Sequence, residues 1–543
     1  MTGAPPESLR QRDYLLRFLD TLLLVFAALL AWVLLTWRWT LRLPTARPED
    51  VLLAILAVLA VRWWLRPLAL PAIRPGRAVA VGVVAYALIF SFIAVTRHYT
   101  FRTHALDLGQ YAQSIWKIAR GQEPYDTVLG WHAWGNHFSP IFYLFVPVSW
   151  VWPDPVPLLL LQSVFLGLGA VPLYLLARPR VGPGPASALA ILYLMNPSLH
   201  GINIRDFHPA ALAIPLLLTA MYAAESGRPW LFGLAALLTL TTREDAAIPV
   251  VGLGLWLAVA RRRWASGAML ILVSLAWLFA TVHWLMPFFR DDRTYPYLAV
   301  HYRHLGDSLG EILLSPILRP RAVLGILPTL SRVQYLVAVL APLGFLPLLA
   351  PLSAIGALPA LAQNLLANYP VLLNYRAQYQ SFVLPFLFVG AVGGLEGVQR
   401  ARSSRWLNAG TILVAAMLMS LVLSAATIND LAVGSWWPDA RHRAAYRVLA
   451  QIPPGSTVSA GERFFPHLYD RAQVSVFPRE VERSEYVFVD GTSLSKGAIG
   501  RVPATRTGDL VTLDLSSQAA GRRLQFRVVA EDAGILLLRR TGS

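Results

Sequence analysis

Long apolar runs alternate with short polar and basic connections along most of this chain. A simple membrane crossing needs ~20 apolar residues in helical conformation, so the pattern predicts a polytopic α-helical bundle of about thirteen spans. Several runs are shorter, which predicts tilted or broken helices shielded by their neighbours. The predicted spans are Tyr14–Trp37, Val51–Trp64, Ala78–Val95, Val156–Ala177, Ala186–His200, Ala210–Ala224, Trp230–Thr241, Ala246–Ala260, Ala265–Phe289, Val333–Leu349, Leu352–Ala367, Phe382–Leu395 and Leu407–Ile428.

The pattern changes after the last span, where apolar runs shorten and charged residues become frequent. DARHRAAYRVLAQIPPG predicts a helix, and TVSAG, QVSVFP, EYVFVD, DLVTLDL and LQFRVVAEDAGILLLRR predict strands with a closing hairpin. The chain is therefore divided into an N-terminal two-helix addition (1–77), a bundle (78–434) with a large external first loop (96–155), and a soluble α/β domain (435–543).

Composition places the chain in a membrane. Hydrophobic residues make up 56% of the chain and charged residues 14%. A soluble fold could not bury that much apolar surface, so lipid must cover part of it. The net charge of +17 is concentrated in arginines between apolar runs, a distribution typical of membrane topology, and we expect no nucleic-acid partner. The absence of cysteine excludes disulfides and thiolate metal sites, and no secretory leader precedes the first span, which we expect to remain as an anchor.

The arginines also predict an orientation in the cytoplasmic (inner) membrane. With a cytoplasmic N-terminus most arginine clusters fall on the inner side, as the positive-inside rule requires, while the first connection, with Arg38, Arg42 and Arg47, runs against it. The active face and the C-terminal domain are then external. The inner clusters are Arg10 and Arg12; Arg66, Arg74 and Arg77; Arg178 and Arg180; Arg228; Arg261 to Arg263; and Arg400, Arg402 and Arg405.

Four polar groups of residues fall together on the predicted outer face. Ionisable side chains at the rim of a membrane bundle are costly to keep there, so their convergence predicts a functional site. These groups are Asp107 in HALDLGQYAQSIW, Asn136 and His137 in WGNHFSP, Asp206 and His208 in RDFHPA, and Arg243, Glu244 and Asp245 in TTREDAAIP.

Each group also has a purely structural interpretation. Asp107 opens a helical pattern with apolar residues at steps of three and four, so it can cap a helix that lies on the membrane surface. Asp206 precedes a run started by Pro209, and Glu244 and Asp245 precede another apolar run, so these carboxylates can also serve helix N-termini. Arg243 can pair with one of them, and His137 and His208 can be ordinary helix-end histidines.

The residue types support two kinds of chemistry. A carboxylate facing an external cavity can act as general base toward an acceptor hydroxyl, with Arg or His offsetting the charge of a phosphate leaving group. Alternatively, the carboxylates and histidines can hold a divalent metal such as Mn, Zn or Mg. Motifs such as HExxH, GxxxxGK[ST] and GxSxG do not occur in a convincing context, which disfavours those hydrolase classes.

Several motifs in order resemble the DUF2079 family of polytopic bacterial and archaeal membrane proteins. They are HALDLGQYAQSIW, GNHFSPIFYLFVPV, RDFHPAALAIPLLL, TREDAAIP, SAGERFFPHLYDR and EYVFVD. That family is grouped with the GT-C glycosyltransferases, so the resemblance implies a multi-span enzyme that uses polyprenyl-phosphate-linked sugars at the outer face. It also implies an essential acidic residue in the first large external loop, a position that Asp107 matches.

The match to the GT-C pattern is incomplete. The loop follows the predicted third span rather than the first, and Leu108 and Gly109 stand where many members have a second acidic residue. This favours a base role for Asp107 over a metal role. The second acidic position is either Asp206 or Glu244. Two further external stretches carry basic and aromatic residues suited to a phosphate or sugar, 290–332 and Asn374–Phe382 with Arg376 and Tyr379.

The sequence thus predicts a GT-C-like transferase that moves a sugar from a polyprenyl-phosphate donor to a lipid, glycan or other cell-envelope acceptor. Candidate catalytic residues are Asp107, as base, with Asp206 and Glu244; candidate substrate-binding residues are His137, His208, Arg243, Asp245, Arg376 and Tyr379. The alternative is a transporter or flippase of lipid-linked substrates, with the same residues lining a pathway. We find no inverted repeat that would favour it.

Overall fold

The computed structural model of the 543-residue chain describes residues 7–36, 48–65, 74–401, 408–424, 427, 436–471, 473–516 and 523–541. Within these residues three helices are long and apolar enough to cross a membrane: Pro75–Tyr99, Val156–Val181 and Trp264–Phe288. A fourth crossing results if Pro320–Ile326 and Leu330–Leu343, bent by 67°, form one span. The count of about thirteen spans stays a prediction.

The membrane part is almost entirely helical, with most helices shorter than a full crossing. In the first half the helices are Glu7–Thr36, Pro48–Leu65, Pro75–Tyr99, Gln110–Ala119, Val146–Val151, Val156–Leu168, Ala170–Val181, Pro183–Leu194, Pro197–Ile204, Ala213–Glu225, Pro229–Leu240 and Ala247–Leu255. Further along they are Trp264–Ala280, Pro296–Tyr302, Leu309–Leu318, Pro320–Ile326, Leu330–Leu340, Leu358–Leu366, Leu384–Arg400 and Ala409–Leu423.

Proline and glycine explain many of these boundaries. Proline stands in the first turn of the helices that begin at Pro75, Pro183, Pro197 and Pro229, where its missing N–H costs nothing. Gly182 has a φ of +83° between two consecutive helices, a conformation that a residue with a Cβ rarely adopts. The chain can therefore reverse sharply and pack these helices side by side.

Small residues allow the helices of the bundle to approach closely. A Cβ on Gly252 would lie 2.1 Å from the carbonyl oxygen of Gly356, so these two backbones touch. Alanine and leucine fill most of the main apolar core, together with large aromatic side chains such as Trp256 and Phe386. Close contact between helix backbones is typical of helix association inside lipid.

The region 96–155, predicted as the external first loop, is folded and contains regular structure. It contains a hairpin of β1 (Tyr125–Asp126) and β2 (Trp131–His132), and the helix Gln110–Ala119. Every side chain of that helix from Gln110 to Lys117 is buried within the protein. The expectation of a helix lying on the membrane with an apolar stripe toward lipid is therefore wrong, because its stripe packs against other parts of the same chain.

The C-terminal part forms the α/β domain that the sequence predicts. Helix Ala440–Leu449 packs on an eight-stranded sheet whose strands run in the order β4-β3-β5-β10-β9-β8-β7-β6. β3 pairs in parallel with β4 and β5, and the remaining neighbours are antiparallel. The strands are β3 (Val458–Ala460), β4 (Val474–Val476), β5 (Tyr486–Asp490), β6 (Ala498–Ile499), β7 (Val502–Thr507), β8 (Leu510–Asp514), β9 (Arg523–Asp532) and β10 (Ile535–Arg540).

One apolar cluster joins this domain to the external first loop. It combines Leu108, Ile115 and Phe142 of the loop region with Phe465 and Phe488 of the C-terminal domain. The two regions therefore share a core. Some sequence predictions fall on parts of the chain outside the described residues: Arg38, Arg42, Arg47, Arg66, Arg402 and Arg405, the span ends Trp37, Leu407 and Ile428, and the first residue of the predicted soluble domain, Ser435.

Candidate functional site

Asp107 lies in a strained turn and not at a helix cap. Its φ of 73° and ψ of −94° interrupt the turn Ala105–Gly109, and the regular helix begins only at Gln110. A positive φ on a residue with a Cβ costs on the order of 1–3 kcal/mol and occurs often at functional sites. The capping interpretation of Asp107 is wrong, because the helix has Gly109 at its cap position and no side-chain cap.

The carboxylate of Asp107 faces His208, which lies 101 residues further along the chain. His208 Nε2 is 3.2 Å from Asp107 Oδ2, while neither ring nitrogen of His208 makes an aligned hydrogen bond within the described residues. The Asp107 side chain is 36% exposed and that of His208 is 3% exposed. Burial raises the pKa of Asp107, but the nearby His208, His137 and His104 outweigh burial and hold it below its ordinary value. Asp107 is therefore an ionised, reachable carboxylate.

Asp206 holds the start of the Asp107 turn. The backbone N–H of His104 donates to Asp206 Oδ2 at 2.9 Å, and His104 Nδ1 lies 3.2 Å from the same oxygen. Asp206 has a φ of 61°, and its Oδ1 has no hydrogen-bond partner among the described residues. Burial raises the pKa of Asp206, and the hydrogen bond to Asp206 raises the pKa of His104. The short 3-10 helix after Pro209 has no side-chain cap, so Asp206 does not cap it.

Gln162 fixes the backbone around His208. Its side-chain N–H donates to the carbonyl of Asp206 at 2.7 Å, and its carbonyl oxygen accepts from the backbone N–H of His208 at 2.8 Å. We did not predict Gln162 as a site residue. Its signal in the sequence is a single fully polar amide inside the apolar run VPLLLLQSVFLGL.

Glu244 and His137 form a second carboxylate–histidine pair. His137 Nδ1 lies 2.9 Å from Glu244 Oε1, the backbone N–H of Phe138 donates to Oε2 at 3.2 Å, and the Tyr295 hydroxyl donates to Oε1 at 3.3 Å. Glu244 is 1% exposed. Tyr297 stacks on the His137 ring with centroids 5.0 Å apart, and its hydroxyl lies 3.3 Å from Nε2. Both oxygens of the Glu244 carboxylate therefore accept hydrogen bonds from neighbouring groups and hold those groups in place.

Arg243 pairs with Asp245, as the structural interpretation of the sequence allowed. Arg243 donates from Nε to Asp245 Oδ1 at 2.5 Å and also from Nη2 to Oδ2. Gln363 donates to Asp245 Oδ2 at 3.0 Å, and the guanidinium lies over the ring of Tyr379 at 5.5 Å. The Asp245 charge raises the pKa of Arg243 against the opposing effect of burial. Arg243 stays charged, with Nη1 free of the Asp245 contact.

Arg243, Asp245, Gln363 and Tyr379 line a cavity of about 370 Å³, together with many apolar side chains. The helix Leu309–Leu318 forms part of its wall: Leu309, Ile312 and Leu313 line the cavity, while Leu313, Ile317 and Leu318 are exposed. We predicted a loop rather than helices in this region. The polar lining consists of His137, Arg243, Glu244, Asp245, Tyr295, Tyr297, His301, Tyr302, Gln363 and Tyr379.

Asp107 and His208 lie near these polar residues but are not among the residues that line the cavity. Asp107 interacts electrostatically with both His137 and Tyr379. Arg376 lies elsewhere: its side chain packs on Gly201, and its Nη2 lies 3.4 Å from the Thr427 hydroxyl. Eight of the nine candidate residues predicted from the sequence thus lie around one centre in the structure.

The donor set does not fit a resident metal. Among the residues that the structure describes, no three His, Asp or Glu side chains converge closely enough to hold a metal ion. The carboxylates pair with histidine or arginine instead.

Comparison with known proteins gives a family and several structural neighbours. The model of DUF2079, described as a predicted membrane protein, matches residues 97–537 and confirms the resemblance drawn from the motifs. No curated protein sequence matches the chain.

Among solved structures, ArnT from Cupriavidus metallidurans bound to undecaprenyl phosphate has 15% identity and a TM-score of 0.49, covering 86% of this chain and 98% of that chain. The apo form of the Archaeoglobus fulgidus oligosaccharyltransferase has 12% identity and a TM-score of 0.40, covering 76% of this chain and 70% of that chain. Both proteins are GT-C glycosyltransferases.

Proposed function

This chain belongs to the DUF2079 family of predicted membrane proteins, and from the chemistry of its site we propose that it is a membrane glycosyltransferase of GT-C type. It transfers a sugar from a polyprenyl-phosphate-linked donor to a lipid or cell-envelope acceptor. The site faces the outside of the cytoplasmic membrane, and the N-terminus is cytoplasmic.

The observation that carries this proposal is the amphipathic cavity. Its apolar lining suits an isoprenoid chain, and Arg243 in its polar lining suits a phosphate. The hydroxyls of Tyr295, Tyr297 and Tyr302 donate to protein acceptors, so toward a sugar hydroxyl they serve as acceptors. Helix Leu309–Leu318 has apolar side chains on both of its faces, as expected of a wall between a lipid-filled cavity and the bilayer. A lipid with a phosphate headgroup suits such a cavity, because its chain fits the apolar lining and its phosphate fits the polar lining.

Asp107 supplies the base. It is ionised at neutral pH and partly exposed, so an acceptor hydroxyl can approach it. The acceptor oxygen attacks the anomeric carbon and its proton passes to Asp107. The bond between the anomeric carbon and the phosphate oxygen breaks, and the phosphate leaves with that electron pair. The partly exposed Asp107 meets the acceptor, and the cavity beside it holds the donor.

The polar residues that line the cavity stabilise the leaving phosphate. Two of the guanidinium nitrogens of Arg243 serve Asp245, which leaves Nη1 for a phosphate oxygen. Glu244 accepts from His137 Nδ1 and fixes the ring beside the Tyr297 hydroxyl, so Nε2 donates to a phosphate oxygen only when both ring nitrogens carry a proton. Donors that are already in place when charge develops stabilise a transition state more than mobile water does.

The test is transfer of radiolabelled sugar from a panel of synthetic polyprenyl-phosphate sugars to membrane extracts. We expect transfer with the wild-type protein and none with Asp107→Asn. Asp126→Asn, a buried carboxylate of the same external loop, is the matched control and keeps transfer. If no donor supports transfer while labelled lipid crosses reconstituted vesicles, the transferase proposal is wrong and a flippase takes its place.

A further inference from the structure

The C-terminal domain reaches directly into the site through the segment Gly461–Leu468. The carbonyl oxygen of Glu462 accepts a hydrogen bond from the backbone N–H of Ala105 at 3.0 Å, two residues before Asp107. Glu462 and Arg463 also act electrostatically on His104. A domain that merely followed the bundle in sequence would not need a backbone hydrogen bond to the site turn.

Phe465 packs against the other end of the same turn. Its side chain is fully buried, and a Cβ added to Gly109 would lie 2.7 Å from Phe465 Cδ1. Gly109 has an ordinary helical φ of −62°, so the close contact, and not backbone conformation, explains a glycine here. Gly109 N–H also donates to the carbonyl of His104 at 3.1 Å and so closes the turn.

Ring contacts anchor the segment on the preceding part of the loop. The rings of His98 and His467 stack with centroids 4.1 Å apart, and Phe101 contacts the rings of Phe464 at 5.2 Å and His467 at 4.4 Å. The Asp107 turn is thus held between Asp206 on one side and the segment Gly461–Leu468 on the other. A strained conformation persists only where its surroundings determine it from several directions.

We propose that the C-terminal domain is part of the active site, with Phe465 as a positioning residue that holds the Asp107 turn through its contact with Gly109. The inference rests on the proposed function in one respect, because it takes Asp107 to be the base. Phe465 is not among the described residues that line the cavity, so the close contact with Gly109 is the route by which we expect it to act on Asp107.

The first experiment does not depend on activity. Hydrogen exchange of the full-length protein in detergent is measured for the peptide covering 102–112 in wild type, Phe465→Ala and Phe465→Met. We expect exchange at Ala105 and Gly109 to become at least about tenfold faster in Phe465→Ala and to return toward wild type in Phe465→Met. Phe526→Leu, in the separate apolar cluster of the C-terminal sheet, is the control and leaves this peptide unchanged.

The second experiment uses the transfer assay. Phe465→Ala should lower kcat by about 100-fold, as expected for a base displaced by about 1 Å, and leave the KM for the donor unchanged. Gly109→Ala should lower kcat for the same reason. The double variant should lose much less than the product of the single losses, since Phe465→Ala makes room for the new methyl group.

The outcomes separate the two proposals. Unchanged exchange in Phe465→Ala overturns the inference whether or not the protein transfers sugar. Faster exchange with normal kcat also overturns it, because the turn then needs no positioning. If Phe465→Ala exchanges faster but the wild-type protein transfers no sugar, the contact between the domain and the turn is supported and the transferase function is rejected. Fully multiplicative losses in the double variant would show that Phe465 and Gly109 act separately and would overturn the proposed contact.

Discussion

Of the carboxylate–histidine pairs around this site, Glu244 with His137 and Asp107 with His208 differ in burial, in backbone strain and in hydrogen bonding. In the pair of Glu244 and His137 the carboxylate is buried and accepts from a ring nitrogen, a backbone N–H and a tyrosine hydroxyl. In the pair of Asp107 and His208 the carboxylate is partly exposed on a strained backbone, and neither histidine nitrogen makes an aligned hydrogen bond within the described residues.

The difference indicates separate roles. Buried polar groups are normally satisfied, and a satisfied pair stabilises and orients its surroundings. A strained and under-satisfied pair lowers stability and persists where function requires it. Under the proposed function, Glu244 orients its neighbours and Asp107 reacts, and the predictions below test this division of roles.

The largest effect should come from Asp107→Gly. Glycine adopts a φ of 73° without a steric penalty, so the relief of backbone strain should offset the lost interaction with the histidines. The variant should therefore keep nearly the free energy of unfolding of the wild type while it loses about 10³-fold in transfer rate. Thermal unfolding in detergent and the transfer assay measure the two quantities on the same preparation. A fall of several degrees in melting temperature would mean that the Asp107 pair is structural, which would reverse the comparison.

His208→Gln should have the next largest effect, about 10- to 100-fold on rate at neutral pH. His208 is the main influence that lowers the pKa of Asp107, so without it burial dominates and that pKa rises. The base must be ionised to act, and activity is lost as pH falls through its pKa. The acid limb of the pH–rate profile should therefore move to higher pH in the variant. An unshifted acid limb would contradict the pairing of these two residues.

Part of this site was predictable because its polar residues interrupt apolar runs. TREDAAIP and RDFHPA predicted Glu244, Asp245, Asp206 and His208, all of which meet around the cavity or beside it. The continuous apolar run in EYVFVD likewise predicted β5, whose first four residues are buried. The strand β7, with Pro503 and Arg506, was missed because proline and charged residues hide its alternation.

Other features were not predictable because they arise only from tertiary contacts. Nothing local in HALDLGQY requires Asp107 to have a positive φ; the conformation follows from contacts with Asp206 and the C-terminal domain. The helix Gln110–Ala119 has an apolar stripe typical of a helix on a membrane surface, and only the packed structure shows that side chains of the same chain cover it. The stretch 290–332 was predicted as an external loop, and the structure instead contains the helix Leu309–Leu318 within it.

Glu244→Gln should show the opposite balance to the Asp107 variants. It weakens the interactions with His137, Phe138 and Tyr295, so we expect a loss of about 1–3 kcal/mol in stability. Transfer should fall by about tenfold or less, because glutamine keeps the shape and one acceptor oxygen toward His137. A loss as large as that of Asp107→Asn with an unchanged melting temperature would give Glu244 a reactive role and remove the contrast between the pairs.

Asp126 extends the comparison to a buried carboxylate with no histidine partner in hydrogen-bond contact among the described residues. It accepts from the backbone N–H groups of Val128 and Leu129, yet burial raises its pKa to about 6. Because this folded-state pKa lies above the ordinary value, the folded state binds the proton more tightly than the unfolded state does. The stability of the wild type should therefore fall as pH rises from about 4 to about 6 and stay lower above that range.

Asp126→Asn stays neutral and keeps one oxygen for both backbone donors, so it should remove this pH dependence. We expect the variant to match the wild type near pH 4 and to exceed it at pH 7 by at most about 3 kcal/mol. Thermal unfolding across pH 4 to 8 measures the difference, and transfer at pH 7 should not change. If wild type and Asp126→Asn were equally stable at both ends of the pH range, the protein would keep Asp126 ionised at no cost in free energy of unfolding. Burial alone would then not explain why Asp107 needs His208, and the contrast between the two pairs would have to rest on backbone strain.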